Sequence, residues 1–364
     1  MSRNMRSSAV ILTLSVASAC NRTPEARPEG APAEVTQPVV STLRAPAPPA
    51  ATRPFKLPGS ERVVAIGDVH GDLRALRGAL RLAGAIDSED EWIGRGLTVV
   101  QTGDQLDRGD QDREVLDVLE KLEPAAKAKG GALVVLNGNH ELMNASFDFR
   151  YVTRKSFASF DEFSARATGA AERAAQNERG RAAAFAPGAP YALKLAQRLT
   201  VALVGDSLFA HAGVLPAHFD YGLDRINAEA QSFLSGQRPT LSKALASEDS
   251  PVWTRFYGGD MDAAGCEVLT RVLKDTGAKR LVVGHTVQSR GINGACQDRL
   301  FRIDVGLSAY YGDHPAQVLE IGPAGTRVLT AGVASPSTSP PSTSPNGGAG
   351  KKSQAPDSAL HSSP

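Results

Sequence analysis

Five short polar clusters hold the residues of this chain that could do chemistry together. They are Gly67-Asp68-Val69-His70-Gly71, Gly103-Asp104-Gln105-Leu106-Asp107-Arg108-Gly109, Gly138-Asn139-His140-Glu141, His211-Ala212-Gly213 and Gly284-His285-Thr286. Asp68, His70, Asp104, Asn139, His211 and His285 make a mixed oxygen and nitrogen donor set. Two adjacent divalent ions want such ligands, with one carboxylate shared between them. His140 is an imidazole next to one of these donors, and it is suited to carrying a proton to a departing oxygen. Arg108 has a planar guanidinium, which grips two oxygens of an anion at once.

Each residue alone has an ordinary explanation. An Asp at a strand end often caps a helix. An Asn after Gly is usually a turn residue, and a lone buried His is usually just hydrogen-bonded. The ordered set is harder to dismiss. Asp104 follows Asp68 by 36 residues and Asn139 follows Asp104 by 35, one strand-helix unit each time.

The elements that must position these residues are legible in outline. Arg62 to Ile66, Leu97 to Gln101 and Ala132 to Leu136 are short apolar runs that break at Gly or polar residues. Asp72 to Ala83 and Glu114 to Lys127, between them, have helical period. Strand and helix alternate, which predicts an α/β fold with a parallel sheet. In such sheets ligands bind at the carboxyl ends of the strands, where the clusters stand. Further on, Leu199 to Val204, Ser207 to His211, Arg280 to Val283, Leu300 to Asp304, Gln317 to Ile321 and Thr326 to Leu329 read as strands. Several are separated only by turns, which suggests antiparallel pairing. Arg150 to Arg181, rich in Ala, Arg, Phe and Glu, reads as a helical insertion beside the site.

The ends have a different composition. Residues 1–19 read as a signal peptide: Arg3 and Arg6 precede a short apolar run from Ala9 to Ala19, well below a membrane span. Val16-Ala17-Ser18-Ala19-Cys20 resembles the lipobox of bacterial lipoproteins, although Ala17 stands where Leu is usual. That resemblance makes Cys20 the lipid-bearing first residue of the mature chain. Residues 20–58 then read as a Pro/Ala-rich tether, 59–332 as the catalytic domain, and 333–364 as a disordered Ser/Pro-rich tail. The expected location is the bacterial cell envelope, on the periplasmic face, with the membrane as a partner through the lipid. In an oxidising space Cys266 and Cys296 are candidates for a disulfide. With 40 basic and 39 acidic residues the formal net charge is +1, which gives no reason to expect nucleic acid as a partner.

The order GDVHG, GDQLDRG, GNHE, HAG, GHT resembles the calcineurin-like metallophosphoesterase superfamily. GDxxDRG with GNHE is similar to its phosphoprotein phosphatase branch. Met143-Asn144, Arg150-Tyr151-Val152, Val252-Trp253-Thr254-Arg255 and Arg302-Ile303-Asp304-Val305-Gly306 are similar to the Shewanella-like protein phosphatases, over roughly Ser60 to Gly322. The resemblance implies an α/β/β/α four-layer β-sandwich flanked by helices. It also implies hydrolysis of phosphate monoesters by two divalent ions, which mixed ligands leave open as Mn, Fe or Zn.

Carried over residue by residue, Asp68 and His70 bind the first ion, Asp104 bridges both, and Asn139, His211 and His285 bind the second. His140 is the general acid, Asp107 orients it, and Arg108 holds the phosphoryl oxygens. Arg255 is the candidate for a second phosphate-contacting arginine. Tyr310 and Tyr311 both fall near the expected pocket tyrosine. The larger eukaryotic phosphatases carry His-Gly-Gly where this chain has His211-Ala212-Gly213, and their second arginine lies in a differently shaped segment. The leading expectation is a protein phosphatase acting on phosphotyrosine, phosphoserine or phosphothreonine. The competing enzyme reading is a small-molecule phosphomonoesterase or a bis-nucleotide hydrolase. An inactive binding module on the same fold would be expected to have lost some of these residues.

Overall fold

A computed structural model describes residues 54–333. Cys20, the expected signal peptide and most of the tether lie outside the described residues, as does the tail from residue 334.

The three runs read as parallel strands are β2 (Arg62–Ile66), β3 (Leu97–Gln101) and β4 (Ala132–Val135). They pair in parallel, in the order β2-β3-β4. The crossovers are α1 (Leu73–Leu82) and α2 (Asp112–Ala128). Two late strands, β10 (Gln317–Gly322) and β11 (Gly325–Thr330), complete this five-stranded sheet, with β10 antiparallel to β2.

The other sheet has six strands, in the order β1-β5-β6-β7-β9-β8. They are β1 (Lys56–Leu57), β5 (Val201–Val204), β6 (Ser207–Ala210), β7 (Arg280–Val283), β8 (Asn293–Ala295) and β9 (Leu300–Arg302). The antiparallel expectation holds for β5 with β6 and for β10 with β11. β6, β7 and β9, which are not joined by single turns, run parallel. The reason lies in the connection from β6 to β7, which is a long helical crossover and not a turn: α7 (Pro216–Tyr221), α8 (Leu223–Leu234), α9 (Lys243–Ala246) and α10 (Ala263–Thr276). A crossover of that length allows parallel pairing.

Alternation along the strands builds the layers. Val63 and Ala65 face inward with Val100, Phe209 and Val282, between the two sheets. Val64 and Ile66 face the other way, onto α1 and α2 through Leu76, Leu80, Leu116's neighbour Val115 and Leu119. In the second sheet Leu208, Ala210, Leu281 and Val283 face a separate helical core. Helix, sheet, sheet and helix therefore stack as four layers. Strands buried on both faces must be apolar throughout, which is why RVVAI and RLVV show no alternation in sequence.

One boundary and one element differ from the sequence reading. The ordered fold begins before Gly59: β1 pairs with β5, Phe55 is buried, and its N–H donates to Asp224 Oδ1 at 2.7 Å. The insertion is less helical than its composition suggests. It holds α4 (Arg154–Ala158), two short 3₁₀ turns and α5 (Arg179–Phe185), followed by α6 (Pro190–Leu195). Among the described residues, no helix is long and apolar enough to cross a membrane. The structure joins Cys266 of α10 to Cys296, in the turn between β8 and β9, with 5.4 Å between Cα atoms.

Candidate metal centre and phosphate site

The five clusters meet along one edge, because each follows the carboxyl end of a strand. Asp68 and His70 follow β2, and Asp104, Asp107 and Arg108 follow β3. Asn139 and His140 open the helix α3 (Asn139–Ala145) after β4. His211 follows β6 and His285 follows β7. The β2 and β3 loops are tied together, since Val69 and His70 donate their N–H groups to Asp104 O at 3.1 and 3.0 Å.

Reaching this edge forces unusual backbone. His70, Asp104, Asp107, Arg108 and His285 all have positive φ, between 44° and 71°. Left-handed non-glycine residues cost on the order of 1 kcal/mol or more each and cluster where function requires them. Gly138 is required for a simpler reason: a Cβ there would overlap the Asp104 carboxylate.

Asp104 Oδ2 is the hub. It lies 3.8 Å from His70 Nε2, 3.7 Å from His140 Nε2 and 3.2 Å from His211 Nε2. The imidazoles are aimed by backbone carbonyls. His70 Nδ1 donates to Leu106 O at 3.0 Å, His211 Nδ1 to Thr102 O at 3.1 Å, and His285 Nε2 to Trp253 O at 3.1 Å. In each case the opposite ring nitrogen turns its lone pair toward the centre, as in metal-ligating histidines, and that of His70 also meets Arg108 Nη1. Burial pushes His70 and His285 down to about 3, so both are neutral.

Four acceptor atoms then converge. His211 Nε2 faces Asn139 Oδ1 at 2.9 Å, His285 Nδ1 at 3.1 Å and Asp104 Oδ2 at 3.2 Å. Lone pairs this close need a cation. Asp68 makes the same demand. Burial, Asp304 and Asp104 push its carboxyl well above the usual range. Asp304 Oδ2 is buried with no hydrogen-bond partner. Two groups, His70 with Asp104 and His140, and Asp104 with His211 and His285, each gather their ligand atoms within 4.8 Å. Mixed N/O sets of this kind fit divalent first-row ions.

One detail differs from the expected ligand sets. Geometry groups His140, and not Asp68, with His70 and Asp104. Asp68 stays close, with Oδ2 4.0 Å from His70 Nε2 and Oδ1 3.8 Å from His211 Nδ1. His140 is engaged elsewhere: its Nδ1 donates to Asp107 Oδ2 at 2.6 Å. Burial opposes charge on His140, but Asp104 and Asp107 outweigh it and raise its pKa.

Arg108 spans the mouth. Its Nη1 lies 2.5 Å from His70 Nε2 and also contacts the Tyr311 hydroxyl. Its guanidinium carbon is 5.3 Å from the Tyr151 and Tyr311 ring centres and 5.9 Å from that of Tyr310. The two tyrosines left open by the sequence divide the work: Tyr311 turns inward to Arg108, while Tyr310 is 62% exposed on the rim. Arg255 is exposed and donates to Thr286 Oγ1 at 3.2 Å, beside His285.

Three participants had no assigned role. Glu141, visible in the GNHE motif, accepts N–H groups from Asp104, Gln105 and Gly138 at 2.7–2.9 Å. Asp304, in the RIDVG segment, stands by Asp68. Arg181 comes from the Ala/Arg-rich insertion and had no sequence signal.

The family model for calcineurin-like phosphoesterases matches residues 61–289. Shewanella-like protein phosphatase 2 of Arabidopsis thaliana is 39% identical over 306 residues, covering 74% of this chain and 78% of that protein. Shewanella-like protein phosphatase 1 of Plasmodium berghei is 28% identical over 271 residues, covering 71% of each chain. Among solved structures, a cold-active protein tyrosine phosphatase is 25% identical with a TM-score of 0.62, covering 74% of this chain and 76% of that one. The chain belongs to the calcineurin-like phosphoesterase family, in its Shewanella-like protein phosphatase branch, and is a metal-dependent phosphoric monoester hydrolase.

Proposed function

We propose that the chain is a protein phosphatase that favours phosphotyrosine over phosphoserine and phosphothreonine. One observation carries the preference: Arg108 stands in a frame of Tyr151, Tyr310 and Tyr311 beside the ligand cluster. A phosphoryl group on Arg108 would leave an aryl ring against Tyr310 and Tyr151, which are 62% and 41% exposed. Offset aromatic pairs contribute roughly 0.5–1.5 kcal/mol beyond area burial, and an alkyl ester forgoes that. The name of the solved relative, a protein tyrosine phosphatase, supports the same direction.

The residues act as follows in this reading. Asp68, His70, Asp104, Asn139, His211 and His285 would hold two ions, Asp104 being common to both ligand groups. Such a pair supplies activated water at neutral pH and neutralises phosphoryl charge; Mn, Fe and Zn all suit the donors. Arg108 holds and orients the phosphoryl oxygens, with Arg255, beside Thr286, as the candidate for a second contact. Asp107 fixes the His140 ring so that Nε2 carries a proton toward the leaving oxygen.

A panel on metal-reconstituted protein tests this. Phosphotyrosine peptides should give a kcat/KM about tenfold or more above phosphoserine and phosphothreonine peptides, and Tyr310→Ala should narrow that gap. A higher kcat/KM on nucleotides or bis-nucleotides than on any phosphopeptide would overturn it. For His140→Asn the expected result is retained metal, with phosphoserine turnover slowed roughly 10²–10⁴-fold and para-nitrophenyl phosphate slowed less. Equal losses on both substrates would remove His140 from the acid role.

The lipobox-like run ending at Cys20 supports a lipid anchor facing the periplasm. Cys20→Ser should move the protein out of the membrane fraction. Retention there would end the anchor proposal.

A further inference from the structure

Arg181 is fully buried, at 0% exposure, in the last helix of the insertion. Its guanidinium reaches four other segments. Nη2 lies 3.1 Å from Asp107 Oδ1 and 2.6 Å from Asp112 Oδ2. Nε donates to Asn144 Oδ1 at 2.7 Å, and Nη1 to Ser156 Oγ at 2.7 Å. The rings of Phe160 and Phe185, 5.2 and 5.0 Å away, surround it. A buried arginine is expensive unless its donors are used, and this one bridges two carboxylates, Asp107 and Asp112. Asp107 Oδ1 takes Arg181 Nη2 and Asn144 Nδ2, the latter at 2.9 Å, and Oδ2 is left for His140 Nδ1. The Asp107 backbone N–H is held by Asp112 Oδ1 at 2.9 Å. Asp112 in turn is held by Arg181 and by Ser156 Oγ at 2.6 Å.

We propose that Arg181 is a positioning residue for proton transfer: by pinning one oxygen of Asp107 it keeps the other on His140 Nδ1, so that the insertion sets the direction of the His140 Nε2 proton. The charges suit that role, because two buried carboxylates and Arg181 leave a single negative charge for an imidazolium to balance. Without Arg181 the Asp107 carboxylate can rotate about its terminal torsion, whose wells are broad, and His140 loses its fixed orientation. The proposal rests on the reading of His140 as the leaving-group acid.

The test uses the full metal-loaded chain and compares a phosphoserine peptide with para-nitrophenyl phosphate. Arg181→Met and Arg181→Lys should slow the alkyl ester at least tenfold more than the aryl ester, with metal content unchanged. Adding Asp107→Asn to either should bring little further loss, since residues acting as one unit are non-additive. The downfield proton resonance of His140 Nδ1–H, identified by its absence in His140→Asn, should broaden or shift in both variants. If Arg181→Met fails to fold, Arg181→Lys and the milder Ser156→Ala decide by the same ratio and the same resonance. Equal losses on the two substrates, with that resonance unmoved, would overturn the proposal. His140→Asn separates the two claims. If it shows leaving-group bias and the Arg181 variants do not, only the role of Arg181 falls. If it shows none, the acid assignment falls as well.

Discussion

The Glu141 carboxylate accepts the backbone N–H of Asp104 at 2.9 Å, and with it those of Gln105 and Gly138. One buried side chain on α3 thus holds the loop that carries the shared ligand. Burial, followed by the charge of Asp104, raises the Glu141 pKa to about 7, and the Gly138 N–H opposes that shift by favouring the ionised carboxylate. Asp104 has φ near 54°, a conformation that must be imposed from outside.

Glu141→Gln should therefore damage the centre without touching a ligand. One amide oxygen remains, but the NH₂ group would face backbone donors. The expected cost is about 2–4 kcal/mol of stability and a roughly 10–100-fold weaker hold on metal. Chemical denaturation and metal analysis after dialysis would show both. Unchanged values for both would mean that the carboxylate is dispensable to the loop.

Asp104→Asn removes the charge that both ligand groups share. Turnover should fall by roughly 10³-fold or more, several kcal/mol of charge stabilisation being lost with the ions. Asp220→Asn, at an exposed carboxylate, is the control and should stay near wild type. Near wild-type turnover with two metals bound in Asp104→Asn would refute the shared-ligand arrangement.

The strand-end clusters were legible because each side of the chemistry is local: a Gly, a short polar run and a strand before it. Asn139 and His140 illustrate the limit. They read as a strand end turning into a loop, but they are the first turn of α3, where successive side chains diverge by about 100°. The conclusion that they face different partners survives, since Asn139 meets His211 and His140 meets Asp107. Arg181 was not legible. A buried arginine in an Ala/Arg-rich segment looks the same in sequence as an exposed one, and its burial depends on carboxylates contributed up to 74 residues earlier. The parallel strands β6, β7 and β9 were missed because pairing direction depends on the path between strands, and the helices α7 to α10 had not been read as that path.

The Cys266–Cys296 bond closes a loop of 30 residues. For that length the chain-entropy account gives an upper value of roughly 3–4 kcal/mol. Replacing both residues with Ser should lower stability by about 2–4 kcal/mol. Dithiothreitol should lower the Tm of the wild type and leave the Tm of the double variant unchanged. Equal sensitivity of the two to reductant would exclude the bond as a stabiliser, and quantitative thiol labelling of the denatured, unreduced wild type would exclude the bond itself.

His218 offers a titration away from the metal centre. Its Nδ1 accepts the Leu215 N–H at 3.0 Å at the start of α7, so the folded ring is neutral on that side. Burial lowers its pKa from 6.5 to about 4. Above pH 6.5 neither the folded nor the unfolded chain protonates it, and the two states are matched. Between 6.5 and 4 the unfolded chain binds a proton that the folded chain refuses, so stability falls as pH falls. At about 1.36 kcal/mol per pH unit, the interval corresponds to roughly 3 kcal/mol. Below about 4 both states are protonated and the loss levels off. His218→Asn keeps an acceptor for Leu215 but cannot titrate. It should be less stable than wild type at pH 8 by about 1–2 kcal/mol, from lost packing, and its stability should decline less on acidification. The wild-type advantage should therefore shrink or reverse between pH 7 and 4.5, measured by urea denaturation of both proteins at each pH. An advantage that stays constant across that range would mean His218 has the same pKa folded and unfolded.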